Sequence, residues 1–241
     1  MYFCIKIIIM KLKLLLIALL ISNSLVFSQS IITDRPDQTE SSSTIRGVQI
    51  ESGLLVESDI YMSGTLLRLA ITDNIEIRIF NQFEFIKGDD EILTSDLEVG
   101  TKLQLYQKDN ANVEVAFLTH LIVPTGSAMI TNDKIGTINK LCISHPTDNK
   151  IGVGYNIGYN YFGKGKGDAT YSVVLGSSLT DKASIYIEPY GEFVNFDNSI
   201  SNLNYGLTYL INDNFQLDCS SGIGLNHDMS FVSFGFSWRR E

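Results

Sequence analysis

The stretch Asn74-Ile75-Glu76-Ile77-Arg78-Ile79-Phe80-Asn81-Gln82-Phe83-Glu84-Phe85 decides the fold. Ile75, Ile77, Ile79, Phe83 and Phe85 share one parity, and Glu76, Arg78, Gln82 and Glu84 share the other. A period of two puts these sets on opposite faces of a strand, whereas a helix would scatter both around its circumference. The pattern recurs outward from this segment. Val48, Ile50, Leu54 and Val56 oppose Gln49, Glu51, Gly53 and Glu57; Ile151, Val153, Tyr155, Ile157, Tyr159 and Tyr161 oppose Gly152, Gly154, Asn156, Gly158 and Asn160; Val232, Phe234, Phe236 and Trp238 oppose Ser233, Gly235, Ser237 and Arg239.

Turn signals divide the alternating stretches. Polar pairs stand at Asp73-Asn74, Asp109-Asn110, Asp148-Asn149, Asp181-Lys182 and Asp213-Asn214, spaced 36, 39, 33 and 32 residues apart. Asp and Asn tolerate the φ values that tight hairpins require. Midway between them lie longer polar stretches at 58–64, 87–95, 125–136, 163–168, 195–201 and 226–230. The count gives twelve strands: 47–57, 64–72, 75–86, 96–107, 112–124, 137–146, 150–162, 169–179, 183–194, 202–211, 215–225 and 231–239. An even strand number with short turns on one side and longer loops on the other is the pattern of an all-β, antiparallel transmembrane β-barrel, with the short turns periplasmic. A soluble sandwich or lipocalin-like barrel would use the same alternation with the apolar face as core. Glycines crowd the polar face here and aromatics cluster near the ends of the apolar faces, which favours the membrane arrangement.

Residues 1–28 read as a secretory signal peptide: Lys6, Lys11 and Lys13 precede an apolar run, and Val26 and Ser28 suit a signal-peptidase site before Gln29. Met10 would open a more ordinary signal by itself. Without the signal, 15 basic residues face 27 acidic ones, a net charge of −12. That argues against nucleic acid as a partner. Cys4 leaves with the signal; Cys142 and Cys219 fall on opposite strand faces, which speaks against a disulfide, and no Cys/His or carboxylate spacing suggests a metal or other cofactor. The chain divides into the signal, an N-terminal segment 29–46 and a barrel 47–241.

The polar face supplies the candidate lumen lining: Glu51, Arg68, Glu76, Arg78, Glu84, Glu98, Lys102, Glu114, His120 and Glu188, with Glu192 and Asp218. Such groups either brace the barrel as ion pairs or line a path for a solute; a net negative lining favours cations or neutral solutes. Residues 29–46 are polar, and Pro36 bars regular ladder pairing. They are either a loose periplasmic leader or a plug, in which Asp34, Arg35, Asp37 and Glu40 pair with Arg68, Arg78 and Lys102. His120 and the Ser144-His145 pair raise an enzymatic alternative, but no GxSxG occurs and no catalytic residue is assigned.

Thr33-Asp34-Arg35-Pro36-Asp37-Gln38-Thr39-Glu40-Ser41, then Gly47-Val48-Gln49-Ile50-Glu51-Ser52-Gly53, Leu121-Ile122-Val123-Pro124-Thr125-Gly126 and the ending Phe231-Val232-Ser233-Phe234-Gly235-Phe236-Ser237-Trp238-Arg239 together resemble a family named for a putative MetA-pathway of phenol degradation. The last residues, Arg239-Arg240-Glu241, depart from the terminal aromatic of many outer-membrane barrels. The resemblance implies an outer-membrane barrel, handled by the outer-membrane assembly machinery, embedded in the lipid bilayer and taking up aromatic or other apolar compounds. Channel or transporter, lipid-modifying enzyme and closed structural barrel are the three functions to be separated.

Overall fold

The computed structural model of the chain describes residues 31–108, 112–145 and 151–241. Residues 1–28, which the sequence reads as a signal peptide, the Asp109-Asn110 pair and the Asp148-Asn149 pair lie outside the described residues. Among the described residues thirteen strands follow one another: β1 (Val48–Glu57), β2 (Ile60–Thr72), β3 (Ile75–Ile86), β4 (Ile92–Thr94), β5 (Leu97–Tyr106), β6 (Glu114–Val123), β7 (Gly136–His145), β8 (Ile151–Tyr161), β9 (Asp168–Ser178), β10 (Ala183–Val194), β11 (Asn198–Asn212), β12 (Phe215–Gly224) and β13 (Ser230–Arg240). Twelve of them form one antiparallel barrel in which each strand pairs with its neighbour in sequence. β1 closes the barrel against β13, from Val48↔Arg240 to Glu57↔Phe231. The short β4 is an addition to this count: it lies in the β3–β5 connection and pairs with the end of β3, Phe83↔Thr94 to Phe85↔Ile92. Closure leaves no open strand edge, so backbone N–H and C=O groups at membrane depth are satisfied by the ladders.

The distribution of side chains inverts that of a soluble protein. Gln49, Glu51, Arg68, Glu76, Lys102 and Glu188 are fully or almost fully enclosed, while Ile157 is 62% exposed, Phe234 61% and Leu105 58%. A small cluster of Ala116, Leu118 and Cys142, with Ile138 packed on it, forms an apolar core inside the wall. An outward apolar band around a polar interior suits hydrocarbon outside, and excludes a lipocalin-like arrangement. Cys142 is buried, Cys219 lies on the opposite parity of its own strand, and both are free thiols.

Two connections are shorter than the polar stretches suggest. β1 and β2 are joined by residues 58–59 alone, with Glu57↔Ile60 as the last pair. β10 and β11 pair out to Val194↔Asn198, and Asn195 and Phe196 take φ of 53° and 61° in the turn between them. Positive φ at both central residues matches the right-handed twist of a hairpin. β2 therefore begins at Ile60 and β11 at Asn198. The β9–β10 ladder skips Glu188 and Pro189, passing from Ile187↔Leu175 to Tyr190↔Ser172; proline has no N–H to give that neighbour.

Candidate functional site

Residues 31–46 do not hang from the barrel. They cross its interior, and each of the twelve barrel strands gives at least one side-chain hydrogen bond to them. The segment starts against β1 and β2, where Gln49 Nε2 and Arg68 Nη1 donate to the Ile32 carbonyl at 2.7 and 3.2 Å. It spans to β10, where Glu188 accepts the Gln38 and Thr39 N–H groups at 2.9 and 2.6 Å as well as the Thr39 hydroxyl. It returns past β8, where Asn156 clasps the Glu40 backbone from both sides, accepting its N–H at 2.6 Å and donating to its carbonyl at 3.0 Å. Ser42 and Ser43 then donate to Glu114 on β6, Ser42 also meets Ser144 on β7, and the Ile45 N–H donates to Glu76 at 2.8 Å. A polar segment without secondary structure must find partners for its own backbone groups, and here the inward side chains provide them.

The charged centre lies on β2, β3 and β5. Arg68 holds Glu76 through two parallel bonds, Nε–Oε1 at 2.9 Å and Nη2–Oε2 at 3.0 Å, and reaches Glu51 at 2.9 Å. Asp34 is inserted among three cations: Arg78 at 2.5 Å, Arg68 at 3.0 Å and Lys102 at 3.0 Å. Glu40 accepts from Arg78 at 2.9 Å and lies 3.5 Å from Lys102 and 3.8 Å from Lys140. Enclosed charges cost several kcal/mol each unless paired and hydrogen-bonded; every charged side chain of this cluster has such a partner. Arg78 Nε also donates to His120 Nε2 at 3.0 Å, and His120 Nδ1 lies 2.7 Å from Glu98. Guanidinium only donates, so Nε2 is the acceptor and the ring proton sits on Nδ1, turned to Glu98.

Arg35 occupies a slot on the opposite side. Its guanidinium bonds Asp218 on β12 at 3.3 Å and Ser233 on β13 at 3.0 Å. It lies over Gly53 and Gly235, where an added Cβ would stand 2.1 and 2.5 Å from Arg35 Nη2. These inward glycines leave the depth that the side chain fills. Thr33 spans the closing seam: its hydroxyl is 2.8 Å from both Glu51 on β1 and Ser237 on β13. The carbonyl of Pro36 accepts from Asn204 at 3.4 Å. The expected pairing of Asp37 with Arg68, Arg78 or Lys102 is not found among the described residues, and Arg35 pairs with Asp218 in place of that cluster.

Of the lining candidates, Glu51, Arg68, Glu76, Arg78, Lys102, Glu114 and Glu188 contact the segment directly. Glu98 reaches it only through His120, and Glu84 bonds Gln82 at 2.9 Å outside the network. Sequence reading missed Lys140, Asn204 and the backbone clasp of Asn156, although each has inward parity. The two enzymatic candidates do not meet. His120 pairs with Ile138 while Ser144 pairs with Glu114, six residues along the strand from His120, or roughly 20 Å at the rise of a β-strand. His145 is bonded instead to the Asn112 carbonyl and the Tyr155 hydroxyl.

The model of the family described as "Putative MetA-pathway of phenol degradation" matches residues 33–239. The fold is similar to the COG4313 outer membrane channel from Pseudomonas putida F1, with a TM-score of 0.64 and 11% identity over 82% of this chain and 97% of that one. It is similar to the KdgM porin solved in complex with disordered oligogalacturonate, at a TM-score of 0.63 and 11% identity over 80% and 99%. The NanC porin gives 0.60 and 9% over 80% and 100%. No curated protein matches the chain in sequence.

Proposed function

Because the chain belongs to the family described as "Putative MetA-pathway of phenol degradation", whose model covers the lumenal segment and the barrel alike, we propose that it is an outer-membrane channel for small molecules, with residues 31–46 as the plug that sets its bore. The observation that carries this reading is the segment's hydrogen bonding to all twelve strands. A peptide so held occupies the cross-section through which a solute would pass. The apolar outer band supports residence in a bilayer, and the amino-terminal Lys-rich, apolar stretch supports export to the outer membrane through the assembly machinery. The short turns then face the periplasm. Enzymatic action on lipid is not supported by an arranged nucleophile among the described residues, where His120 has Arg78 on one ring nitrogen and Glu98 on the other. A closed structural barrel is what a permanently seated plug would give.

Planar-bilayer recordings separate the two remaining cases. Deleting residues 30–42 should raise single-channel conductance several-fold over the full-length mature chain. Equal conductance of the two proteins would count against the plug, and liposomes that fail to swell with either would identify a closed barrel.

A further inference from the structure

Of the three carboxylates that the seated plug carries, Asp34, Asp37 and Glu40, two lie on the same wall, Asp34 and Glu40. Around them stand four cations, Arg68, Arg78, Lys102 and Lys140, and two acids of that wall, Glu51 and Glu76, that pair with the arginines. Glu98 is turned to His120. The excess of positive charge in this cluster is answered by Asp34 and Glu40, which belong to the plug and not to the barrel. The two acids are not held equally. The Asp34 side chain is 2% exposed, whereas Glu40 is 15% exposed and Lys140 beside it 20%. Glu40 thus sits at the open edge of the cluster. Its backbone is fixed independently, by Asn156, so its side chain can swing away without unseating the chain. Leu118 lies directly between Lys102 and Lys140 across the strands, and Ile138 packs against the same apolar cluster. Cations at this edge are therefore next to hydrocarbon.

We infer that Arg78, Lys102 and Lys140 form a binding site for organic carboxylates bearing an apolar body, which the plug's own Glu40 occupies as a built-in competing ligand. This rests on the channel reading and names its solute class. It reverses the selectivity expected from the net charge of the lining alone, because the cations are gathered on one wall and the acids Glu188 and Asp218 lie on another. A solute carboxylate displaces the Glu40 side chain and takes over its charge-assisted hydrogen bond from the Arg78 guanidinium and its ion pairs with the ammonium groups of Lys102 and Lys140. Its apparent affinity is reduced by the fraction of time that Glu40 is in place.

The probe is benzoate, with acetate and benzyl alcohol for comparison, measured by equilibrium dialysis on the full mature chain in detergent and by bilayer conductance. Glu40→Gln keeps the backbone clasp and removes the competing charge; it should lower the apparent Kd for benzoate about tenfold, in line with removal of a competing conformer. Lys140→Met should raise it by a similar factor. Acetate and benzyl alcohol should bind more weakly than benzoate to all three proteins. Benzoate binding that is indifferent to both substitutions, or matched by benzyl alcohol, overturns the site. Benzoate binding as described in a protein that never conducts, even with residues 30–42 deleted, supports the site and overturns the channel. Conductance without benzoate binding leaves the channel standing and overturns the site.

Discussion

Arg78 is shared among four partners: Asp34 and Glu40 from the plug, Glu76 from its own strand and His120 from β6. A planar fork of five N–H donors can serve all four; a single ammonium cannot. Replacing it by Met leaves three enclosed carboxylates short of a cation, and removing one member of such a buried set costs about 3–5 kcal/mol. Arg78→Met should therefore unfold at markedly lower temperature, read from the heat-induced mobility shift on gels, and Arg78→Lys should recover only part of the loss. Full rescue by Lys would contradict the geometry. Arg78 itself is legible from the sequence, because its neighbours alternate sharply between Ile and charged residues. Lys140 is not. Its strand reads Gly-Thr-Ile-Asn-Lys-Leu-Cys-Ile-Ser-His, with polar Thr137 and Asn139 on the outward parity and apolar Ile138 and Cys142 on the inward one. Where both faces are mixed, period two carries no sign.

At the level of elements, Asp96 is the counterpart of a cap for the long connection 124–135. One carboxylate accepts the Gly126 N–H at 2.9 Å, the Thr131 hydroxyl at 2.7 Å and the Asn132 N–H at 3.0 Å, while Ser127 bonds the β4 backbone at Thr94. Burial alone would raise this carboxyl, but the N–H of Asn132, the Thr131 hydroxyl and the Gly126 N–H outweigh it and hold it below the ordinary carboxylate range. A group depressed in the folded state contributes stability that is complete above the ordinary carboxylate pKa and is lost as pH falls through the lowered value. The loop should stay latched at about pH 5 and loosen only in stronger acid. Asp96→Ala should loosen it at every pH, raising the rate of proteolytic nicking within 124–135 at least roughly tenfold, since even one bond to a charged group contributes about 1.5–3 kcal/mol. Unchanged nicking would show that the Thr94–Ser127 contacts suffice. The strands crossing the apolar band are legible in the sequence. Their extensions at Ile60 and Asn198 are not: Ser58-Asp59 and Ser63-Gly64 bracket Ile60-Tyr61-Met62 with turn-forming residues, and Asn198, Ser199 and Ser201 read like loop residues.

For the molecule as a whole, the twelve-strand closure follows from alternation and turn spacing, both local signals. The path of the plug does not, because its partners are scattered over all twelve strands and come together only when the sheet is rolled up. Rolling a ribbon into a cylinder leaves a single joint, here between the first and last strands. Thr33 lies across it with Glu51 on one side and Ser237 on the other, and Arg35 grips Ser233 and Asp218 beside it. The leading residues are a clasp on that joint. A chain shortened by residues 30–42 still has the backbone ladder to zip with, but it should melt at a lower temperature than the full mature chain in the same detergent; equal melting would mean that the ladder needs no fastening. With one short peptide fastening the wall and, as proposed, filling the bore, any movement that widens the passage would also slacken the cylinder around it, setting conductance and toughness against each other within the same stretch of chain.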